Sequence, residues 1–236
     1  KYPDIFTINY NDENLGIPAN IYKARCMCRG RYIVNLAGDD YWINNNKLEK
    51  EVQFLDNHPE YIVLCSRVEL RYDDELKCID ILPAESETDR EFTIEDFEKG
   101  KNFNCHGLMM RNFFRTEKGR SYFQLAQKIS NKVDDAVDNL LLLRLGRVYT
   151  LNFITDAYRI PSNKSTQSNY NSRYSDLEKT QHEIQLYNGM FQYFGNEINF
   201  KKRYTQTLAV LILRMLRERK FKEYKEEYMS IPEIYR

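Results

Sequence analysis

Two adjacent carboxylates close an apolar run in Arg31-Tyr-Ile-Val-Asn-Leu-Ala-Gly-Asp-Asp-Tyr-Trp42. Side by side, Asp39 and Asp40 repel each other unless solvent or a bound Mg²⁺ or Mn²⁺ supplies counter-charge. A hard cation with oxygen ligands can in turn hold a nucleotide diphosphate. The competing reading is a plain turn after a strand, since Gly and Asp dominate turns.

The elements that must position these carboxylates are readable from pattern. Tyr32 to Leu36 is short, rich in β-formers and preceded by Gly30, so it reads as a buried strand. Its carboxyl end is where open α/β sheets place ligands. Upstream, Phe6 to Tyr10 reads as a strand and Ile17 to Cys28 as a helix. Downstream, Asn44-Asn-Asn46 offers N-caps for a helix from Lys47 to Leu55, with Leu48, Val52 and Leu55 on one face. Asn57-His-Pro59 stops it. Tyr61 to Leu70 is a β-branched strand, Arg71 to Arg90 a polar excursion, and Phe92 to Phe97 a short helix. Cys105 to Arg111 reads as a strand, Ala136 to Leu145 as a leucine-rich helix, and Val148 to Phe153 as a last short strand. The alternation predicts an α/β domain.

From Ser162 to Asn171 the composition turns to Ser, Asn, Thr and Gln, which predicts a linker over 162–174 between residues 1–161 and a helical extension over 175–236. Helices are expected from Ser175 to Phe194 and from Phe200 to Lys220. Leu208, Leu211, Ile212 and Met215 recur at helical spacing in the latter, amid Lys201, Lys202, Arg203, Arg214, Arg217, Arg219 and Lys220. Such a helix either lies on a membrane surface or packs on the domain or on a second copy, with its basic residues solvated.

Composition sets mild bounds. The 236 residues carry 35 basic and 35 acidic side chains, so no global charge draws the chain to nucleic acid. No apolar run is long enough to span a bilayer. Five cysteines, at 26, 28, 65, 78 and 105, are read as reduced thiols of a cytoplasmic protein, mostly packed in the core. His58, His106 and His182 have no zinc-ligand spacing.

A series of motifs recurs in fixed order: Asn14-Leu-Gly16, Lys23-Ala24, Cys28-Arg-Gly-Arg-Tyr-Ile33, Gly38-Asp-Asp-Tyr-Trp42, Lys47-Leu48, Phe54-Leu55 and Asn57-His-Pro-Glu-Tyr61. The series continues through Phe92-Thr-Ile-Glu-Asp96, Met109-Met-Arg111, Asp134-Asp135, Gly146 and Tyr158-Arg159. In this order they resemble the bacterial family 2 glycosyltransferases, in the subgroup whose strand ends in Gly-Asp-Asp-Tyr-Trp. The resemblance covers about the first two-thirds of the chain. It implies a GT-A fold over residues 1–161, Rossmann-like, with a mostly parallel sheet flanked by helices. The implied activity is hexosyltransferase-type transfer from a nucleotide-sugar, UDP-sugars first among them. The acceptor would be a hydroxyl of a glycan or lipid-linked molecule in bacterial surface polysaccharide or glycoconjugate synthesis, with inversion. The setting would be cytoplasmic or peripheral at the inner face of the membrane, with membrane or homodimer contacts through the C-terminal helices.

Residue by residue, the resemblance puts Asp39 and Asp40 on the metal motif, with Asp40 the direct ligand of Mg²⁺ or Mn²⁺ and Asp39 at the ribose or a metal water. Asp135 falls on the catalytic base, its pKa raised by Asp134, although both Asp residues equally suit a helix N-terminus. Asp138 is a weaker rival. Trp42 and Tyr41 fall on a wall of the donor or acceptor pocket, or else pack on the Lys47 helix. Arg159 either reaches the diphosphate or lies at the surface. The chain departs from the pattern at Ala37, where an acidic residue is usual, and at Pro161-Ser162, where many relatives carry a His. The family also places a strand, a helix and a second strand, which hold the nucleotide base, ahead of residues resembling Lys1-Tyr-Pro-Asp4. Their absence predicts an N-terminally truncated domain with weak nucleotide binding.

Two rivals stand beside this reading. A nucleotidyltransferase would need a Gly-rich phosphate loop with a basic residue near its first strand, which this chain lacks. A non-catalytic binding or assembly module would suit both the truncated start and the helical tail.

Overall fold

The computed structural model describes residues 5–72, 77–103, 106–130, 135–160, 174–219 and 221–236. Its helices are α1 (Gly16–Met27), α2 (Lys47–Asn57), α3 (Ile94–Glu98), α4 (Glu117–Ile129), α5 (Asp135–Leu145), α6 (Asp176–Phe194), α7 (Lys201–Glu218) and α8 (Phe221–Ser230). The strands are β1 (Tyr32–Val34), β2 (Tyr41–Trp42), β3 (Tyr61–Tyr72), β4 (Cys78–Leu82), β5 (Arg90–Phe92), β6 (Met109–Arg111) and β7 (Arg147–Ile160).

The strands form one sheet in the order β1-β6-β3-β7-β2, with β4 beside β3 and β5 beside β7. The expected mostly parallel sheet is mixed. β3 and β7 run parallel along their length, whereas β6 lies antiparallel between β1 and β3, and β2, β4 and β5 add antiparallel edges. Because β6 is inserted, β1 and β3 still point the same way. The α/β alternation captures that common direction, but three residues of Met-Met-Arg carry no sign of strand direction.

Period-two alternation sorts the core into two sides. Ile33, Val63, Cys65, Met110 and Val148 face α5 and the other helices packed on that side. Leu55, Tyr61, Leu64 and Met109 form a smaller cluster under α2. Helix α5 is buried at Ala136, Val137, Leu140, Leu141 and Leu142, because it is covered by the sheet, α3 and α4 at once. The C-terminal helices complete this core: Ile184, Met190, Tyr204 and Tyr224 belong to the same cluster as Val63, Phe97 and Leu140. Apart from Tyr174, the expected linker 162–174 lies outside the described residues.

Several sequence expectations change. Phe6 to Tyr10 forms no strand. Phe6, Ile8 and Tyr10 are largely exposed, and β-propensity makes a strand only where a neighbour completes the ladder. The polar excursion after β3 contains β4 and β5, and the final short strand is the fourteen-residue β7. The Asn44 and Asn46 side chains do not cap α2. Asn44 instead accepts from Asn46 N–H and donates to the Ile154 carbonyl. The cysteines are less buried than expected: Cys65 is in the core, Cys26 and Cys28 are half-buried, and Cys78 is exposed. Cys105 lies outside the described residues.

Candidate active site

After β1 the chain turns sharply, with Asp40 N–H bonded to the Ala37 carbonyl, and then pairs with β7 through Tyr41 and Trp42. That turn carries Asp39 and Asp40. Strand β7 locks it. The Arg159 backbone N–H donates to Asp40 Oδ1 at 3.1 Å, and Arg159 Nε donates to the Asp39 carbonyl. The Asp40 carboxylate is almost wholly buried, and its Oδ2 lies 3.5 Å from His106 Nδ1.

His106 is the residue the sequence reading passed over. Its ring lies against that of Tyr158 at a tilt of 32°, with centroids 4.1 Å apart. Burial alone would lower its pKa, but the hydrogen bond it donates to Asp40 and the charges of Asp135, Asp40 and Asp39 raise it above the ordinary value. Burial and the same three carboxylates push the Tyr158 hydroxyl up. Asp39, Asp40 and Asp135 therefore act on one imidazole, although 95 residues separate the turn from α5. A local signal for His106 was present. It precedes Gly107, which sits at φ +72°, the conformation of a tight turn that a glycine supplies.

Asp135 opens α5 and is exposed, while Asp134 lies outside the described residues. The rival Asp138 is engaged elsewhere, accepting from Tyr122 at 2.5 Å and pairing with Arg25 at 3.5 Å. Trp42 is 41% exposed, with Lys47 Nζ 6.0 Å from its ring centroid. Tyr41 is tied down, its hydroxyl accepting from Arg71 at 3.2 Å.

Beneath the turn is a cavity of about 400 Å³. Its walls include Ile21, Ala24 and Arg25 of α1, the end of β1, and Asp40, His106, Asp156 and Tyr158. The far wall is held by Lys47, which is 1% exposed. Its ammonium donates to Glu51 Oε1 at 2.9 Å, Gly107 O at 3.1 Å and Asp156 Oδ2 at 3.1 Å, with Thr155 Oγ1 at 3.3 Å. Glu51 also accepts from Ser66 Oγ, and its burial raises its carboxyl pKa against the pull of Lys47. A side chain on Gly107 would collide with Asp156 Oδ2. Helix α2, the His106 loop and β7 therefore meet at a single cation.

Among the described residues no three His, Cys, Asp or Glu side chains form a cluster that could cage a metal ion. Asp39 and Asp40 fit a different arrangement. Mg²⁺ and Mn²⁺ that serve phosphates are commonly held by one or two carboxylates, with phosphate oxygens and water completing the shell.

A mixed sheet flanked by helices, with Asp39 and Asp40 in the turn after β1, defines an α/β protein. Residues 1–117 match the family model Glycosyl transferase family 2. A stretch of 116 residues is 32% identical to uncharacterised proteins of Mycobacterium tuberculosis (Rv1520) and Mycobacterium bovis (Mb1547), covering 49% of this chain and 30% of each relative. The chain thus aligns with under a third of those proteins' length. The crystal structure of S. aureus TarS 1-349 superposes with a TM-score of 0.47 at 13% identity, over 97% of this chain and 75% of that one.

Proposed function

We propose that the chain transfers a sugar from a nucleotide-sugar, of which UDP-sugars are the first candidates, to a hydroxyl of a glycan or lipid-linked acceptor, with inversion and with Mg²⁺ or Mn²⁺. The observation that carries this is the Asp39-Asp40 turn, locked to β7 at Arg159 and with Asp40 Oδ2 3.5 Å from His106 Nδ1, in a segment that matches a glycosyltransferase family. Asp40 would be the direct ligand of that cation, and Asp39 would contact the ribose or a metal-bound water. The cation, when bound, supplies charge to the departing diphosphate.

Asp135 takes the acceptor proton as the hydroxyl oxygen attacks the anomeric carbon from the face opposite the diphosphate. Asp134 beside it raises its basicity. The open face of Trp42 forms a wall for the sugar. Arg159 holds the turn through its backbone and presents its guanidinium to the diphosphate. Residues 1–161 form the catalytic domain, 162–174 the linker and 175–236 its helical extension, in a protein of bacterial surface-glycan assembly.

Calorimetric titration of the intact full-length protein with UDP and GDP, with and without Mn²⁺, tests the donor site. Binding that depends on Mn²⁺ and is lost in Asp40→Asn is expected. Asp135→Asn should keep donor binding and lose transfer by about 10²–10⁴-fold, the usual contribution of a general base. Nucleotide binding that is absent throughout would favour a non-catalytic module, and undiminished turnover in Asp40→Asn would remove the metal assignment.

A further inference from the structure

Helix α7 packs Tyr204, Leu208, Leu211 and Met215 against the core and still leaves large apolar side chains outside. Its buried face carries Arg203, Tyr204, Thr207 and Leu211, with Arg203 stacked on Phe97 at 3.7 Å. The outward face of its second half is apolar: Leu213 is 67% exposed, Leu216 59% and Ile212 45%. Phe221, the first residue of α8, is 53% exposed. Soluble monomers rarely leave such a run of large apolar side chains in water without a partner.

The charges beside this face select the partner. Lys201, Lys202, Arg217 and Arg219 are exposed along α7 and its cap, and Lys222 follows on α8. The one acidic residue of α7, Glu218, is half-buried and engaged with Tyr224. On α8 the exposed Glu223 and Glu226 are matched by the exposed Lys222 and Lys225, so a second copy docked on this face would still set the basic α7 rim of one copy against that of the other. An anionic lipid surface offers both an apolar layer for the leucines and phosphates for the lysines and arginines.

We propose that the outward face of α7, together with Phe221, docks the protein on an anionic lipid surface. Ile212, Leu213, Leu216 and Phe221 enter the acyl boundary, and Arg217, Arg219 and Lys222 meet headgroup phosphates. This rests on the exposed face alone and holds whether or not the sugar-transfer reading does.

The test is co-sedimentation of the whole chain with vesicles of phosphatidylcholine alone and of phosphatidylcholine with phosphatidylglycerol. Binding is expected only to the second kind, weakening as salt is raised. The double variant Leu213→Glu/Leu216→Glu changes two exposed side chains, so its circular dichroism should match the parent, and its partition should fall at least about tenfold. Arg217→Glu should weaken binding about fivefold or more. Absence of binding to anionic vesicles at low salt, or equal binding by the double variant, overturns the proposal. So does a concentration-dependent dimer in sedimentation velocity that the double variant dissolves, because the face would then belong to a second copy.

Discussion

Lys47 is the side chain on which the candidate site depends most heavily. Three elements share its ammonium, and the side chain is buried. Lys47→Met keeps the apolar stem and removes the charge, leaving Glu51 and Asp156 buried without a counter-ion. Breaking a buried pair by deleting one partner costs about 3–5 kcal/mol, so urea unfolding should show a loss of that size. Adding Glu51→Gln should restore part of it. A loss below about 1 kcal/mol would show that the network does not hold the loop. This node was not legible in the sequence. Lys47 reads as the polar start of an amphipathic helix, and its partners lie 60 and 109 positions away. Motif order singles out Asp39, Asp40 and Asp135 as candidates, whereas His106 falls inside the span read as a strand from Cys105 to Arg111, and a strand pattern says nothing about side-chain chemistry.

Local punctuation made some elements legible, whereas strands defined by pairing, and helices α4 and α8, were not foreseen. Helix α3 shows the first kind. Thr93 and Asp96 form a reciprocal capping box, and the Asp96 carboxylate also receives Arg90 at 2.7 Å. Burial alone would raise the Asp96 pKa, but Arg90, the Thr93 N–H and Lys101 bring it below the ordinary carboxylate value. A depressed folded pKa contributes stability above the unfolded value of about 3.9 and loses it as pH falls through the folded value. Asp96→Asn should therefore destabilise the protein by about 1–3 kcal/mol at neutral pH. The difference between parent and variant should close on acidification below about pH 4. A pH-independent difference would assign the loss to packing. Strands β2 and β5, two and three residues long, exist because β7 runs on far enough to pair with both, and no local pattern in Tyr41-Trp42 or Arg90-Glu-Phe92 announces that.

At the scale of the whole molecule, the shift in composition after residue 161 reads as a boundary, yet the core crosses it. Phe200, Tyr204 and Tyr224 are fully buried in the cluster that contains Val63 and Leu140. The joint is tightest at Gly189 of α6, where a Cβ would lie 2.5 Å from the Ile129 carbonyl at the end of α4. Backbone cannot swing aside as a side chain can, so Gly189→Ala must part the two helices, at a cost of about 1–3 kcal/mol. With a shared core this loss cannot stay in the helical half. The single tryptophan, Trp42, stands on β2 and reports the sheet, whereas far-ultraviolet circular dichroism is dominated by helix. In the parent the two signals should unfold at one midpoint, and in Gly189→Ala both midpoints should fall together. If Trp42 fluorescence keeps its midpoint while the helical signal melts early, residues 174–236 fold as a separate unit, and the shared cluster is a docking surface between two units.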